Sequence, residues 1–378
     1  MLAVGLMSGT SLDGVDAALC HIEGSGLDTQ VDLLNFVTID IPSETRQKIQ
    51  KACLNQADTR MICSLNFELG HLMVQAVQTV CLEGGLSSKD LDFVASHGQT
   101  LYHLPSPKAD ECASTLQLGE PAVIAASCQC PVISNFRTKD MAMGGQGAPL
   151  VPYADWILYR QPDKYRVLQN IGGIGNLTYL PKRADLSDLL AFDTGPGNMM
   201  INRAMEVLFQ KPYDQDGQVA RQGQRIFRLA RELQGHPYLH QPYPKTTGRE
   251  DFGNELTEAL LDKYPDENRE DIIHTLTWFT AYSMGQAYQE LLNDGYLLDQ
   301  VILAGGGAHN PMIKALLIKE LEGLSIEVVG LEDLGDSSDA KEAIAFVILG
   351  NETLHHHPSN VPKATGAKEP TILGNITY

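Results

Sequence analysis

The sequence predicts an α/β protein of two domains. Three observations carry that prediction. Short apolar strands alternate with amphipathic helices, the alternation restarts after Pro149, and 378 residues with 43% hydrophobic content suffice for two cores. The chain opens on a β-hairpin: Leu2 to Met7 and Val15 to Cys20 are apolar strands joined by Ser8-Gly9-Thr10-Ser11-Leu12-Asp13-Gly14. Residues 31–41 read as a third strand and 44–54 as a short helix. Ile62, Leu65, Leu69, Leu72, Met73, Ala76 and Val80 then recur at helical spacing and stop near Gly84-Gly85. Strands at 93–95 and 131–134 flank a helix of small residues at 121–127. In the second half, strands at 165–168, 177–180 and 189–192 precede helices at 198–209 and 218–233. Residues 235–252, with Pro237, Pro242 and Pro244, form a long irregular segment of the kind that is usually functional or mobile. A helix at 272–291, a strand at 301–304, a helix at 311–321, a strand at 326–329 and a helix at 340–349 complete the order.

Composition removes several function classes. A net charge of -19 argues against nucleic acid and anionic membrane surfaces, which need clustered Lys and Arg, so any bound phosphate must be held locally. Seven scattered cysteines make no disulfide framework, and Cys128-Gln-Cys130 lacks the two-residue spacing of a zinc site; a reducing cytosol fits best. No Lys or Arg precedes Arg46, which is unlike a secretory signal, and no apolar run reaches the roughly 18 residues that span a bilayer. A soluble cytoplasmic protein is expected. His355-His356-His357 reads as a solvated surface run.

Three glycine-bearing loops carry the chemistry. In the opening turn, Gly9 and Gly14 let the backbone approach a ligand, and Ser8, Thr10, Ser11 and the turn amides offer donors to an anion without a lysine; the same residues also suit a plain turn. In Phe192-Asp193-Thr194-Gly195-Pro196-Gly197-Asn198 an acid ends a strand and Asn198 can cap the next helix, whose N-terminus favours an anion. Asp193 is there either as a catalytic acid or as the organiser of a tight turn. In Gly305-Gly306-Gly307-Ala308-His309-Asn310-Pro311, Asn310 caps a helix with Pro311 at its first position, and the glycines let a flat ring lie on the backbone or simply link strand to helix. The chain has no GxxxxGK[ST], and neither Gly172-Gly173-Ile174-Gly175 nor Gly305-Gly306-Gly307 supplies the third glycine of GxGxxG, so P-loop and dinucleotide Rossmann readings weaken.

A phosphate hairpin, an Asp-Thr-Gly loop and a Gly-Gly-Gly loop in this order over two α/β halves resemble the actin, Hsp70 and sugar-kinase superfamily. More narrowly, several motifs together resemble the anhydro-N-acetylmuramic acid kinases: the stretch from Gly5 to Asp16, Ser96-His97-Gly98-Gln99-Thr100, Asn135-Phe136-Arg137, Gly144-Gly145-Gln146-Gly147-Ala148-Pro149-Leu150-Val151-Pro152, Gln169-Asn170-Ile171-Gly172-Gly173-Ile174-Gly175-Asn176 and the Asp193 loop. The resemblance spans nearly the whole chain. It implies a two-domain actin-like ATPase with ribonuclease H-like halves and an interdomain cleft: an N-terminal domain of 1–135 plus 355–378 with the phosphate hairpin, and a C-terminal domain of 136–354 with the adenosine and catalytic loops.

The activity implied is the opening of the 1,6-anhydro bond of anhydro-N-acetylmuramic acid by water with phosphorylation of O6, using ATP and Mg²⁺, in cell-wall recycling. The family's catalytic base falls on Asp193. A carboxylate that takes the proton of an attacking water contributes roughly 10² to 10⁴ in rate. The resemblance gives Gly9, Thr10, Ser11, Leu12, Asp13, Gly14, Val15 and Asp16 to the ATP phosphates, Gly305, Gly306, Gly307 and Asn310 to the adenosine, and Gly172, Gly173 and Gly195 to the nucleotide site. Many superfamily relatives carry an Asp in the first strand where this chain reads Leu6-Met7-Ser8, so the carboxylate that steers the metal is among Asp13, Asp16 and Asp193. His97, Arg137 and Glu342 are the implied substrate contacts, although Asp339 three residues before Glu342 also makes a capping-box pattern. Residues 245–252 either close over the substrate or connect two elements. A homodimer is implied. Other classes on the same fold are an acetate-kinase-like or polyphosphate-cleaving phosphotransferase and a non-enzymatic nucleotide-gated switch.

Overall fold

The computed structural model describes residues 1–9, 12 and 14–378. Thr10, Ser11 and Asp13, expected at the phosphates and, for Asp13, at the metal, lie outside the described residues. The chain divides into two compact units, Met1–Tyr159 with Ala340–Tyr378, and Arg160–Asp339.

Each unit is built on one sheet. In the first, β1 (Leu2–Ser8), β2 (Gly14–Glu23) and β3 (Gln30–Asp40) form an antiparallel meander, with β1 and β2 in register from Leu2 opposite His21 to Met7 opposite Asp16. On the other side of β1 lie β4 (Phe93–Leu104), then β6 (Val132–Ser134), both parallel; β5 (Ser114–Leu118) pairs with β4, and a terminal strand, Asn375–Thr377, lies antiparallel to β6. Parallel neighbours need crossovers, and the helices Ser43–Cys53, Thr59–Glu83 and Pro121–Cys128 supply them. The longest starts where the Asp58 carboxylate accepts from the Met61 amide at 2.8 Å, and it buries Leu65, Leu69, Leu72, Met73, Ala76 and Val80 as its spacing predicts.

In the second unit β7 (Arg166–Ile171), β8 (Ile174–Leu180) and β9 (Leu190–Pro196) repeat the meander, and β10 (Gln300–Ala304) and β11 (Glu327–Gly330) run parallel to β7 in the order β11-β10-β7-β8-β9. Both sheets therefore follow one plan, a three-stranded meander whose first strand carries two parallel strands on its free side. That is the ribonuclease H-like half, present twice. The helix Arg269–Asn293 buries Ile273, Leu276, Phe279 and Met284 in the second core with Val301 and Leu303.

The division differs from the boundaries expected at 135 and 354. Helices Phe136–Ala142, Val151–Tyr159 and Lys341–Leu354 belong to the first unit. The reason lies in close packing: a methyl on Gly5 would overlap the Ala343 carbonyl oxygen, and one on Gly350 would come within 2.8 Å of the Ala95 Cβ, so Lys341–Leu354 rests directly on the first sheet. Its Lys341 Nζ is 2.8 Å from the Asp155 Oδ1 of Val151–Tyr159, with both side chains buried.

The helix expected at 218–233 forms only at Phe227–Gln234. Upstream, the Asp214 carboxylate accepts from the Val219 and Ala220 amides, and Gly223 runs so close to Glu270 that any side chain there would overlap its carbonyl. Among the described residues no helix is long and apolar enough to cross a membrane. None of the seven cysteines forms a disulfide; burial pushes the Cys81 and Cys128 thiols up to about 11 and those of Cys20 and Cys130 up to about 12.

Candidate active site

The hairpin turn is held from below by Gln99 on β4. Its buried amide lies with Oε1 2.6 Å from the Ser8 hydroxyl, and its Nε2 donates to the Gly9 carbonyl at 3.2 Å. Ser8, expected as a phosphate donor, is itself buried, with its hydroxyl also 3.2 Å from the Gly14 carbonyl, so it serves the turn rather than a ligand. Gly14 is bare for the same internal reason: a methyl there would sit 2.5 Å from Thr38 Cγ2 and 2.9 Å from the Ile39 carbonyl on β3. The side chains of Leu12 and Val15 are buried in the first core, which leaves only their main chain for a phosphate. Asp16, at the mouth of β2, accepts from Thr38 Oγ1 at 2.7 Å.

His97, Arg137 and Glu342 come together in the first unit, in roles that differ from those expected. His97 is buried, its Nδ1 2.8 Å from the Gly98 carbonyl, while Arg137 Nε donates to its Nε2 at 3.0 Å. That pattern fits only the neutral ring with the proton on Nδ1. Burial and the Arg137 charge push the ring's pKa down to about 3. With both nitrogens engaged, His97 orients Arg137 and offers a sugar no hydrogen bond. Arg137 Nη1 donates to the Gly147 carbonyl at 2.7 Å, and among the described residues its Nη2 has no bond. Burial lowers its pKa to about 10, partly offset by Glu342, and it stays charged at neutral pH. Gly147 is fixed in turn by the buried Asp140, which accepts from its amide at 2.8 Å and from Asn360 and Thr365.

Glu342 is partly exposed and does not complete a capping box. The helix Lys341–Leu354 has Ala340 at its N-cap with no side-chain cap bond, and Asp339 instead lies 3.4 Å from His309. Burial raises the Glu342 carboxyl, with Lys341 and Arg137 opposing and Asp16 adding to the rise, so Glu342 feels both the arginine and the hairpin acid. Beside His97 a pocket of about 180 Å³ is lined by Gln117, Gly119, Glu120, Ser134 and Asn135, and the Ser134 hydroxyl is buried there without a partner among the described residues.

In the second unit Asp193 is gripped by the irregular segment that follows helix Phe227–Gln234. Thr247 donates its amide to Asp193 Oδ2 at 2.9 Å, the Asp193 amide donates to the Lys245 carbonyl at 2.9 Å, and the Tyr238 hydroxyl donates to the Asp193 carbonyl at 2.7 Å. Burial pushes the carboxyl up to about 6; the Thr247 amide opposes this and the Glu250 charge adds to it. Such an acid is ionised at neutral pH and near the value that serves a general base.

The glycine loops differ in what their bareness is for. Gly195, at φ +134, passes the Ser283 Cβ at what would be 3.0 Å from a methyl. Gly172 and Gly173 offer carbonyls, which accept from the amides of Asn198, Gly197 and Met199 at 2.8 to 3.1 Å. Asn198 therefore joins the helix Met199–Phe209 by its backbone and does not cap it with its side chain, and these first amides are already bonded where an anion was expected. In the third loop the Asn310 side chain caps Pro311–Glu320 as the sequence predicts, accepting from Met312 at 3.0 Å. A side chain at Gly307 would overlap Ile171, and Gly305 needs its φ of +80; at Gly306 a methyl meets nothing within 4 Å among the described residues.

Among the described residues no group of three or more His, Cys, Asp or Glu could hold a metal ion. Mg²⁺ carried largely by phosphates asks for only one or two carboxylates, and Asp16 and Glu342, whose charges act on one another, fit that donor set. The sequence missed Gln99, Asp140 and Tyr238, and it flagged Lys245 only as the start of the segment 245–252. A glutamine inside the apolar strand of His97 was the one available signal, since a buried amide must find partners.

Comparison with known proteins bears on this geometry. The family model described as "Anhydro-N-acetylmuramic acid kinase" matches residues 1–378. A protein of that name from Bacillus cereus (strain Q1) is 50% identical over 379 residues, covering 100% of this chain and 99% of its own. One from Francisella tularensis subsp. novicida (strain U112) is 51% identical, covering 99% of this chain and 98% of its own. Among solved structures, the (R)-2-hydroxyglutaryl-CoA dehydratase component A of Acidaminococcus fermentans aligns over 92% of this chain and 96% of its own, at 11% identity and a TM-score of 0.47.

Proposed function

The chain belongs to the anhydro-N-acetylmuramic acid kinase family and is a kinase, and from that premise we propose that it opens the 1,6-anhydro ring of anhydro-N-acetylmuramic acid with water and passes the γ-phosphoryl group of ATP to O6. The product is N-acetylmuramic acid 6-phosphate, as cell-wall recycling requires, and the enzyme works in the cytoplasm. The observation that carries the reading is Asp193: a half-buried carboxylate whose pKa is pushed up to about 6, placed within β9 beside its register shift rather than at a strand end, held by an amide and flanked by fixed peptides.

The chemistry follows from those residues. Asp193 takes a proton from water as the water oxygen bonds to the anomeric carbon. The C1–O6 bond breaks, and the O6 it releases bonds to the γ-phosphorus while ADP departs. The proton on Asp193 then passes to solvent. Positioning and charge neutralisation supply most of a phosphoryl transfer, and Mg²⁺, when bound, offsets charge on the phosphates, with Asp16 and Glu342 as the carboxylates that would hold it. Main-chain amides of the hairpin from Gly9 to Asp16, a stretch entered through the Ser8 and Gly9 that Gln99 holds, receive the phosphates. Arg137 Nη2 is the group offered to the lactyl carboxylate, in a bidentate or single charge-assisted bond. The pocket beside His97, with a Ser134 hydroxyl that has no partner among the described residues, suits one polar substituent of the sugar.

ADP release from ATP by the purified chain, with and without the anhydro sugar and with product mass recorded, tests the reaction. Equal ADP release without sugar would sink it in favour of a phosphotransferase of another kind or a nucleotide-gated switch. The adenosine assignment has its own test in the third loop. Gly306→Ala should fold normally and raise the KM for ATP by about tenfold, roughly 1.4 kcal/mol of binding. Gly307→Ala should instead lower stability by about 1–3 kcal/mol through overlap with Ile171, read as a lower melting temperature. Unchanged ATP affinity in Gly306→Ala would remove that loop from the nucleotide.

A further inference from the structure

We propose that Lys245 is a positioning residue of the reaction, a charge that anchors three of the groups bonded to Asp193. The proposal rests on the reading of Asp193 as base. Lys245 is almost fully buried, an unusual place for an ammonium unless it is paired and bonded. Its Nζ donates to the Leu239 carbonyl at 3.1 Å and to the Tyr238 carbonyl at 3.4 Å, lies 3.7 Å from Glu290 Oε2, and sits over the Tyr238 ring at 5.1 Å from its centre. One charge thus ties the turn at Pro237–His240 and the segment ending at Thr247 to the long helix Arg269–Asn293.

Three groups that bond Asp193 hang on that knot. The carbonyl of Lys245 accepts the Asp193 amide. The Tyr238 ring beneath the ammonium carries the hydroxyl that donates to the Asp193 carbonyl. Two residues beyond Lys245, the Thr247 amide donates to the carboxylate, and the Thr247 hydroxyl is itself held by Asp251 at 2.7 Å. The peptide bonds on both sides of Asp193 and its carboxylate are therefore set by the segment that Lys245 anchors. The segment reads in sequence as a lid or a connection, and its Lys245 end is a fixed clamp. A misplacement of the base by about 1 Å costs on the order of 10²-fold in rate.

The test is a double-mutant cycle on kcat, with transfer of radiolabelled phosphate to sugar followed over hours so that slow backgrounds can be counted. Lys245→Met should lower kcat by about 10²-fold with the KM for ATP and for sugar little changed. In the Asp193→Asn background it should cost almost nothing more, because a residue that acts through the base has nothing left to position. The same factor in both backgrounds, or a rise in KM with kcat intact, would overturn the proposal. Near-normal turnover of Asp193→Asn alone would overturn the base reading and this one with it. Should Lys245→Met not fold, Tyr238→Phe carries the same cycle: it removes only the hydroxyl on the Asp193 carbonyl, and its smaller loss of kcat should likewise vanish when Asp193 is Asn.

Discussion

Asp193→Asn is expected to lower kcat by about 10²- to 10⁴-fold, the usual contribution of a general base, while the chain folds and binds ATP. The wild-type pH profile should carry the same residue's signature. With the carboxyl pushed up to about 6 by burial, kcat/KM should fall about tenfold per pH unit below that value, because the protonated acid takes no proton from water. Stability should run the opposite way. A folded pKa above the ordinary 3.8 means that the native state holds a proton the unfolded chain has lost. The resulting stabilisation is complete below pH 3.8 and is lost as pH rises to about 6. At neutral pH the buried charge is a cost, so Asp193→Asn should melt at the same temperature as the parent or higher. Near-normal turnover in the variant, or a flat acid limb in the parent, would take Asp193 out of the base role.

The second large effect belongs to the buried ion pair of Lys341 and Asp155, 2.8 Å apart and shielded from water on both partners. Removing one partner strands the other. Asp155→Ala should cost about 3–5 kcal/mol, which for a chain of this size lowers the melting temperature by roughly 5 °C. Lys341→Met with Asp155→Leu should recover most of that loss, since apolar replacement of both charges removes the desolvation cost along with the attraction. Calorimetry of the two single variants and the double variant decides it. Single variants that melt no lower than the double would show that the pair holds nothing. The pair anchors the start of Lys341–Leu354 beside Glu342, so Asp155→Ala should also weaken whatever Glu342 binds.

Much of the fold was legible because its signals are local. The hairpin of β1 and β2, the helix beginning at Asp58 and the Asn310-Pro311 cap each follow from residues a few positions apart. What misled was local signal overruled from a distance. Asp339 and Glu342 have the spacing of a capping box, yet Asp339 faces His309 and the helix begins at Ala340 without it. Gly14 suits an approach to ligand, yet its bareness is required by Thr38 and Ile39 on β3. Ser8 offers a hydroxyl to an anion, yet Gln99, from a strand more than eighty residues away in sequence, takes it. His97 reads as a substrate contact, and only the position of Arg137 shows both its nitrogens engaged within the protein.

By itself the sequence determined the class of the fold and the family, and it singled out Asp193, the acid proposed as the base. Periodicity, turn residues and motifs are properties of neighbours along the chain, and they survive without coordinates. Only the tertiary structure decided which polar groups are left over for a ligand. A buried hydroxyl, amide or ammonium must be satisfied wherever a partner can be found, and the partners of Ser8, His97, Asp193 and Lys245 lie on other strands, other helices or a loop some fifty residues on.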